Sequence, residues 1–141
     1  NTFFKIMPPD LFYDEFIEPD FYSQYVPKEF ENISKQYFQI LNSNHKITPV
    51  LYAIGKYYYD DPKNRKNGEF DVVTLDKNGY NFYEVKFINK PIDDSIVNEE
   101  EYQLENLKIK YNKLGFISKT GFNLKNPEKY SLIKLDDMYK I

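Results

Sequence analysis

The turn segment Asp76-Lys77-Asn78-Gly79 lies between two runs rich in β-branched and aromatic residues, 69–75 and 81–87. A short Asn-Gly turn between such runs signals an antiparallel hairpin. What the hairpin carries is unusual. One arm, Gly68-Glu69-Phe70-Asp71-Val72-Val73, holds Asp71; the other, Phe82-Tyr83-Glu84-Val85-Lys86-Phe87, holds Glu84 and Lys86. Charges wedged between aromatic and β-branched neighbours make a poor core but a good site for a divalent cation. Paired strands lie about 5 Å apart, so the hairpin is expected to bring Asp71 and Glu84 together. Period-two alternation puts Lys86 on the face of Glu84.

The other elements frame this hairpin. Residues 27–41 place Phe30, Ile33, Tyr37, Phe38, Ile40 and Leu41 mostly three and four apart, which is one helical face. Pro27 suits the first turn, where its missing N–H costs nothing, and Asn42-Ser43-Asn44 ends the helix. Residues 52–59 read as a first strand, followed by a charged turn over 60–67. Residues 96–107 read as a second helix whose opening acids, Glu99, Glu100 and Glu101, suit the positive end of the dipole. Residues 113–119 and 130–135 read as further strands, with a turn of helix at 136–139. A helix between strands implies at least one parallel pair. Residues 1–26, with a short helix expected at 10–16, are too aromatic for a free linker and read as a lead-in arm packing on a domain of residues 27–141. The expected fold class is α/β, a mixed sheet flanked by helices on both faces.

Composition sets limits. A chain of 141 residues suits one domain. With no cysteine, zinc–thiolate sites, disulfides and cysteine nucleophiles are excluded. The single histidine, His45, follows a helix end and reads as surface. Lys and Arg total 19 against 22 Asp and Glu, a net charge of −3, whereas a dedicated duplex-binding module is usually basic. Contact with DNA must therefore come from a local patch such as Lys63-Asn64-Arg65-Lys66 or the lysines at 108, 110 and 113; Tyr57–Tyr59 offers faces for base stacking, although a half-buried strand is the ordinary use of such a run. No apolar run approaches the roughly 20 residues needed to span a bilayer, so no membrane partner is expected and the location is read as cytoplasmic. The first residue is Asn, so the chain is expected to be an excised piece of something longer. Oligomeric state is not set by any stripe or coiled-coil pattern.

The charged set suits phosphodiester hydrolysis. That reaction uses a metal to polarise the phosphoryl oxygen and lower the pKa of a water. Magnesium takes hard oxygen ligands, usually one or two carboxylates with several waters retained. Asp71 and Glu84 would supply the carboxylates for Mg²⁺ or Mn²⁺, with the main-chain carbonyl of Val85 as a third ligand. Lys86 would orient or activate the water. The plain alternative is a cross-strand ion pair that only stabilises the hairpin.

The pattern resembles the PD-(D/E)xK nuclease superfamily, in which an acidic strand residue is followed by Glu-x-Lys on the next strand. The matching residues are Asp71, Glu84 and Lys86; Phe70 stands where the motif has proline. The resemblance implies a restriction-endonuclease-like fold. It also implies a Glu on the first helix, matched by Glu31, to bind a second metal or its water shell, and a Gln or Lys on the helix after the Glu-x-Lys strand, matched by Gln103. Both otherwise read as polar helix surface, Glu31 flanked by Lys28 and Lys35.

A broader resemblance spans nearly the whole chain. The stretches Phe12-Tyr13-Asp14-Glu15-Phe16-Ile17, Ile54-Gly55-Lys56-Tyr57-Tyr58, Asn67-Gly68-Glu69-Phe70-Asp71 and Gly115-Phe116, with the segments around Glu31 and Glu84, look like the C-terminal domain of a family of archaeal and bacterial AAA-type ATPases. The implied partner is the ATPase domain of a parent chain. No Gly-x-x-x-x-Gly-Lys-Ser/Thr loop is present, so this piece is not expected to bind ATP itself. The implied functions are Mg-dependent DNA cleavage or, alternatively, an inactive nuclease fold serving regulation or interaction through aromatic surface such as Phe3, Phe4, Tyr13 or Phe16.

Overall fold

A computed structural model describes residues 27–63 and 66–140. Helix α1 (Lys28–Ser43) leads into strands β1 (Ala53–Asp61), β2 (Lys66–Asp76) and β3 (Gly79–Lys86). The chain continues through β4 (Ile92–Asp93), α2 (Asp94–Asn106), β5 (Lys113–Ser118), β6 (Phe122–Asn123), a 3-10 turn (Pro127–Lys129), β7 (Ser131–Lys134) and α3 (Leu135–Met138). The main sheet has the order β1-β2-β3-β5-β7. β2 runs antiparallel to both β1 and β3, and β5 and β7 continue parallel to β3. Tight turns suffice for antiparallel neighbours, whereas the parallel step from β3 to β5 needs a crossover, supplied by α2. The α/β class, with a mixed sheet between helices, is as expected from sequence.

Each face of the sheet buries its own apolar layer. Phe30 and Phe38 of α1 pack with Val72, Tyr83, Val85, Phe87 and Ile117. Val97 and Leu104 of α2 pack with Phe70, Val73, Phe82, Leu114 and Phe116. Aromatic rings knit both layers, with centroids 4.7 Å apart for Phe38–Tyr83 and 5.0 Å for Phe70–Phe82, in the range of favourable offset and edge contacts. In α1 the buried positions Phe30, Ser34 and Phe38 recur every four residues, and the Ser34 hydroxyl donates back to the Phe30 carbonyl at 2.8 Å. The end of α1 is tied to the chain entering β1: Asn42 donates to the Leu51 carbonyl at 3.1 Å and accepts from the Leu51 N–H at 2.8 Å.

The hairpin tip is heavily bonded. Gly79 has φ +124°, a conformation that favours glycine. The Asp76 carboxylate accepts from the Asn78 N–H at 2.7 Å, an Asx turn. The Asn81 amide donates to Thr74 and Asp76, both at 3.0 Å, and its oxygen accepts from Asn112 at 3.0 Å.

Several expected boundaries shift. β1 and β2 continue into the charged turn, pairing Asp60 with Asn67 and Asp61 with Lys66, because main-chain pairing is indifferent to side-chain charge at a strand end. α1 begins after Pro27, which occupies the N-cap, and runs on to Ser43. α2 starts two residues earlier than expected, because the Asp93 carboxylate caps it by accepting from the Ile96 N–H at 3.1 Å. Glu99–Glu101 therefore lie inside the helix, and Asp94 is the acid of its first turn. The last strand ends at Lys134, and Leu135 begins the final helix. The two-residue β4–β6 pair was not foreseen. His45 is exposed, as read from sequence. The lead-in arm, its helix at 10–16 and its aromatic residues lie outside the described residues, as do Asn64 and Arg65. Among the described residues no helix is long and apolar enough to cross a membrane.

Gly115 marks where β5 is pressed between neighbours: a Cβ there would collide with the Tyr83 ring and lie 2.8 Å from the Ser131 carbonyl oxygen. That carbonyl belongs to the strand paired with β5 and cannot withdraw cheaply. Gly115→Ala should therefore lower stability by about 1–3 kcal/mol in urea unfolding. Gly55→Ala, where a Cβ meets nothing within 4 Å, should stay within about 0.5 kcal/mol of the parent.

Candidate functional site

The site is built around an irregularity. Gly55 pairs with Val73 and Tyr57 with Phe70, so Lys56 alone faces both Asp71 and Val72. Such a bulge lets two successive side chains of one strand share a side. Phe70 and Val73 accordingly belong to the layer under α2 and Val72 to the layer under α1. Asp71 goes with Val72 toward the α1 side. The ladder between β2 and β3 runs from Asp76↔Gly79 to Val72↔Tyr83. Asp71 and Glu84 are the first residues beyond it, one from each strand.

On the α1 side Asp71 is buried at 7% exposure. Its carboxyl is pushed up to about 7, chiefly by burial, then by the charges of Glu31 and Glu69 and a hydrogen bond with Glu69, against a smaller opposing effect of Lys56. Glu31 is also buried, but its carboxylate is the hub of three lysines. Its Oε1 lies 2.7 Å from Lys56 Nζ, 3.2 Å from Lys35 and 3.4 Å from Lys28. Burial opposes its charge, yet the hydrogen bonds from Lys56 and Lys35 outweigh it and hold Glu31 below the usual carboxylate range. The solvated helix face that sequence alone allows for Glu31 is thus replaced by an inward-facing ion-pair cluster. Lys56 also reaches Glu69 at 3.8 Å.

Glu84 and Lys86 lie on the other side. They alternate with Tyr83, Val85 and Phe87, which pack under α1, and share the face of Phe82 toward α2. Lys86 Nζ is 3.6 Å from Glu84 Oε1, and both side chains are largely buried. The Glu84 carboxyl is driven well above the usual range, first by burial and next by Glu100 of α2; Lys86 opposes this and Asp71 adds to it. Gln103, one turn beyond Glu100, is buried, and its Nε2 is the buried side-chain polar atom left without a partner among the described residues. Leaving a buried donor unpaired costs about 1–3 kcal/mol.

The structure therefore brings Glu84, Lys86 and Gln103 to the α2 side and Asp71 and Glu31 to the α1 side. Asp71 stands at the end of the ladder, where its charge is felt at Glu84. Asp71 leaves the face of Glu84 and Lys86 because the bulge breaks the two-residue period. The Val85 side chain is buried in the layer under α1, which leaves only its main chain for coordination. Among the described residues no three His, Cys, Asp or Glu side chains converge as a cation cluster. A hard cation that takes one or two carboxylates and keeps its waters still suits the donor chemistry of Asp71 and Glu84.

Three neighbours escaped the sequence reading. Glu69 is two residues before Asp71 and was accessible from strand periodicity. Glu100 is three before Gln103, hence on the same helical face. Lys56 had no such signal, because its position opposite Asp71 depends on the bulge.

A family model for DUF234, described as archaeal and bacterial proteins of unknown function, matches residues 2–104. No curated protein matches the chain. A solved structure of a protein of unknown function, AF1548, is similar over 65% of this chain and 50% of that one, with 16% identity and a TM-score of 0.41. The chain thus spans about half the length of that protein. Because the matched residues make up most of its length, the chain belongs to the DUF234 family.

Proposed function

We propose that this domain is a PD-(D/E)xK-type nuclease that hydrolyses DNA phosphodiesters with Mg²⁺ or Mn²⁺, as the cytoplasmic partner of an ATPase domain in a longer parent chain. The observation that carries this reading is the placement of Asp71 and Glu84. Two largely buried carboxylates stand where the β2–β3 ladder ends, Asp71 on the α1 side and Glu84 on the α2 side, each within the other's field, with Lys86 against Glu84. Burying like charges that feel each other is costly unless a proton or a cation offsets it. The order helix, three antiparallel strands, helix, parallel strands supports the restriction-endonuclease-like arrangement.

In this proposal Asp71, Glu84 and the Val85 carbonyl hold the ion, which supplies Lewis-acid polarisation of a phosphoryl oxygen. Lys86 positions a water for attack and takes up developing negative charge. Gln103 donates its amide N–H to an oxygen of the substrate or of that water. Glu31 forms the wall on the α1 side. A second reading keeps the fold as an inactive regulatory or interaction domain of an ATP-binding protein; the net charge of −3 favours it.

Mn²⁺ should raise the melting temperature by mass action, and Asp71→Ala should abolish the rise; an equal response in both proteins would remove the cation site. Supercoiled DNA should be nicked in Mn²⁺ by the parent chain and not by Lys86→Ala, as resolved on agarose gels.

The pH dependence has two opposite signs. Without cation, Asp71 titrates near 7 in the folded chain against an ordinary value of 3.8. Its stabilising contribution is full below the ordinary value and lost as pH rises to about 7, so melting temperature should fall between pH 5 and 7.5, and less so in Asp71→Asn. Cation binding requires that proton to leave, so Mn²⁺ affinity measured by calorimetry should rise about tenfold from pH 6 to pH 8, with proton release.

A further inference from the structure

Glu31 of α1 and Glu69 of β2 meet one ammonium. Lys56 Nζ lies 2.7 Å from Glu31 and 3.8 Å from Glu69, and its charge acts on Asp71. The bulge sets Lys56 opposite Asp71 and Val72, one β1 residue against two of β2, and its side chain reaches Glu31 on the α1 side. Its side chain is 19% exposed, which limits the water available to compete. Lys28 and Lys35 meet the same Glu31 oxygen, so an incoming divalent ion would meet three ammonium groups around one carboxylate. Like charges at such range repel strongly where solvent is scarce.

We propose that Lys56 is the resident cation of Glu31 and Glu69, so that these two carboxylates take up a divalent ion only when Lys56 is removed. Lys56 is then a positioning residue: it holds Glu31 and Glu69 around Asp71 and leaves Asp71 and Glu84 to share a single ion. This deepens the cation-site reading, since it reassigns Glu31 from a ligand of a second metal to the partner of a built-in charge. A lysine is a compact point charge on a flexible stem with three donors, which lets one ammonium meet Glu31 and Glu69 at once.

Calorimetric titration with Mn²⁺ alone tests this by stoichiometry rather than by activity. The parent chain should bind one ion, Lys56→Gln should bind one more than the parent, and Lys56→Arg should match the parent. Glu31→Gln, which keeps Lys56 and so does not expose a bare acidic cluster, should leave the parent stoichiometry unchanged. Two ions in the parent chain, no gain in a folded Lys56→Gln, or loss of an ion in Glu31→Gln would each overturn the proposal. Should Lys56→Gln fail to fold, the Glu31→Gln titration decides. No ion in the parent with one in Lys56→Gln would uphold the role of Lys56 while removing the Asp71–Glu84 cation site.

Discussion

Two residues of β2 face one residue of β1, and that mismatch decides which side of the sheet each charge reaches. Without it, strict alternation would put Asp71 on the α2 side with Glu84 and Lys86, and Phe70 under α1. With it, Phe70 joins the aromatic layer under α2, and Asp71 turns toward Glu31, Glu69 and Lys56. The bulge thus separates the buried acids into two groups that meet only at the end of the ladder. Carboxylates pressed onto one face would have to hold protons or a cation between them. Divided between two sides, each group has a lysine beside it, Lys56 on one side and Lys86 on the other, while burial still drives Asp71 and Glu84 above the usual carboxylate range.

The apolar layers make that division rigid. Phe38 and Tyr83 lock α1 to the centre of the sheet, while Phe70 and Phe82 join β2 to β3 beneath Val97 and Leu104 of α2. Glu31 lies one residue after Phe30, and Gln103 one before Leu104. Both polar groups are therefore carried inward by the packing of a neighbour rather than by attraction to the site. Loss of either apolar anchor would move the charges as well as open a cavity.

Much of the architecture was legible in the sequence, for definite reasons. The Asn-Gly turn, the three- and four-residue spacing of Phe30, Ile33, Tyr37 and Phe38, and the helix between Lys86 and Lys113 are local signals. They led to the hairpin, the first helix and the parallel step. The shared face of Glu84 and Lys86 follows from period two. What stayed hidden depends on pairing partners. A bulge exists only between two strands, so neither the turn of Asp71 toward α1 nor the placement of Lys56 could be read from either strand alone. The inward position of Glu31 depends on how α1 rolls onto the sheet, and its lysine neighbours looked like ordinary exposed pairs. The capping role of Asp93 was readable, but the run of three glutamates downstream drew the expected helix start away from it.

The amide of Asn81 ties together Thr74, Asp76 and Asn112 at the far end of the hairpin. Its bonding fits one alignment of β2 against β3. Sliding the strands by a single residue would turn every side chain of β3 over, sending Glu84 and Lys86 beneath α1 and Tyr83 beneath α2. A small polar knot near the loop thereby keeps the electrostatic polarity of the whole sheet, three residues and more away from the charges it protects.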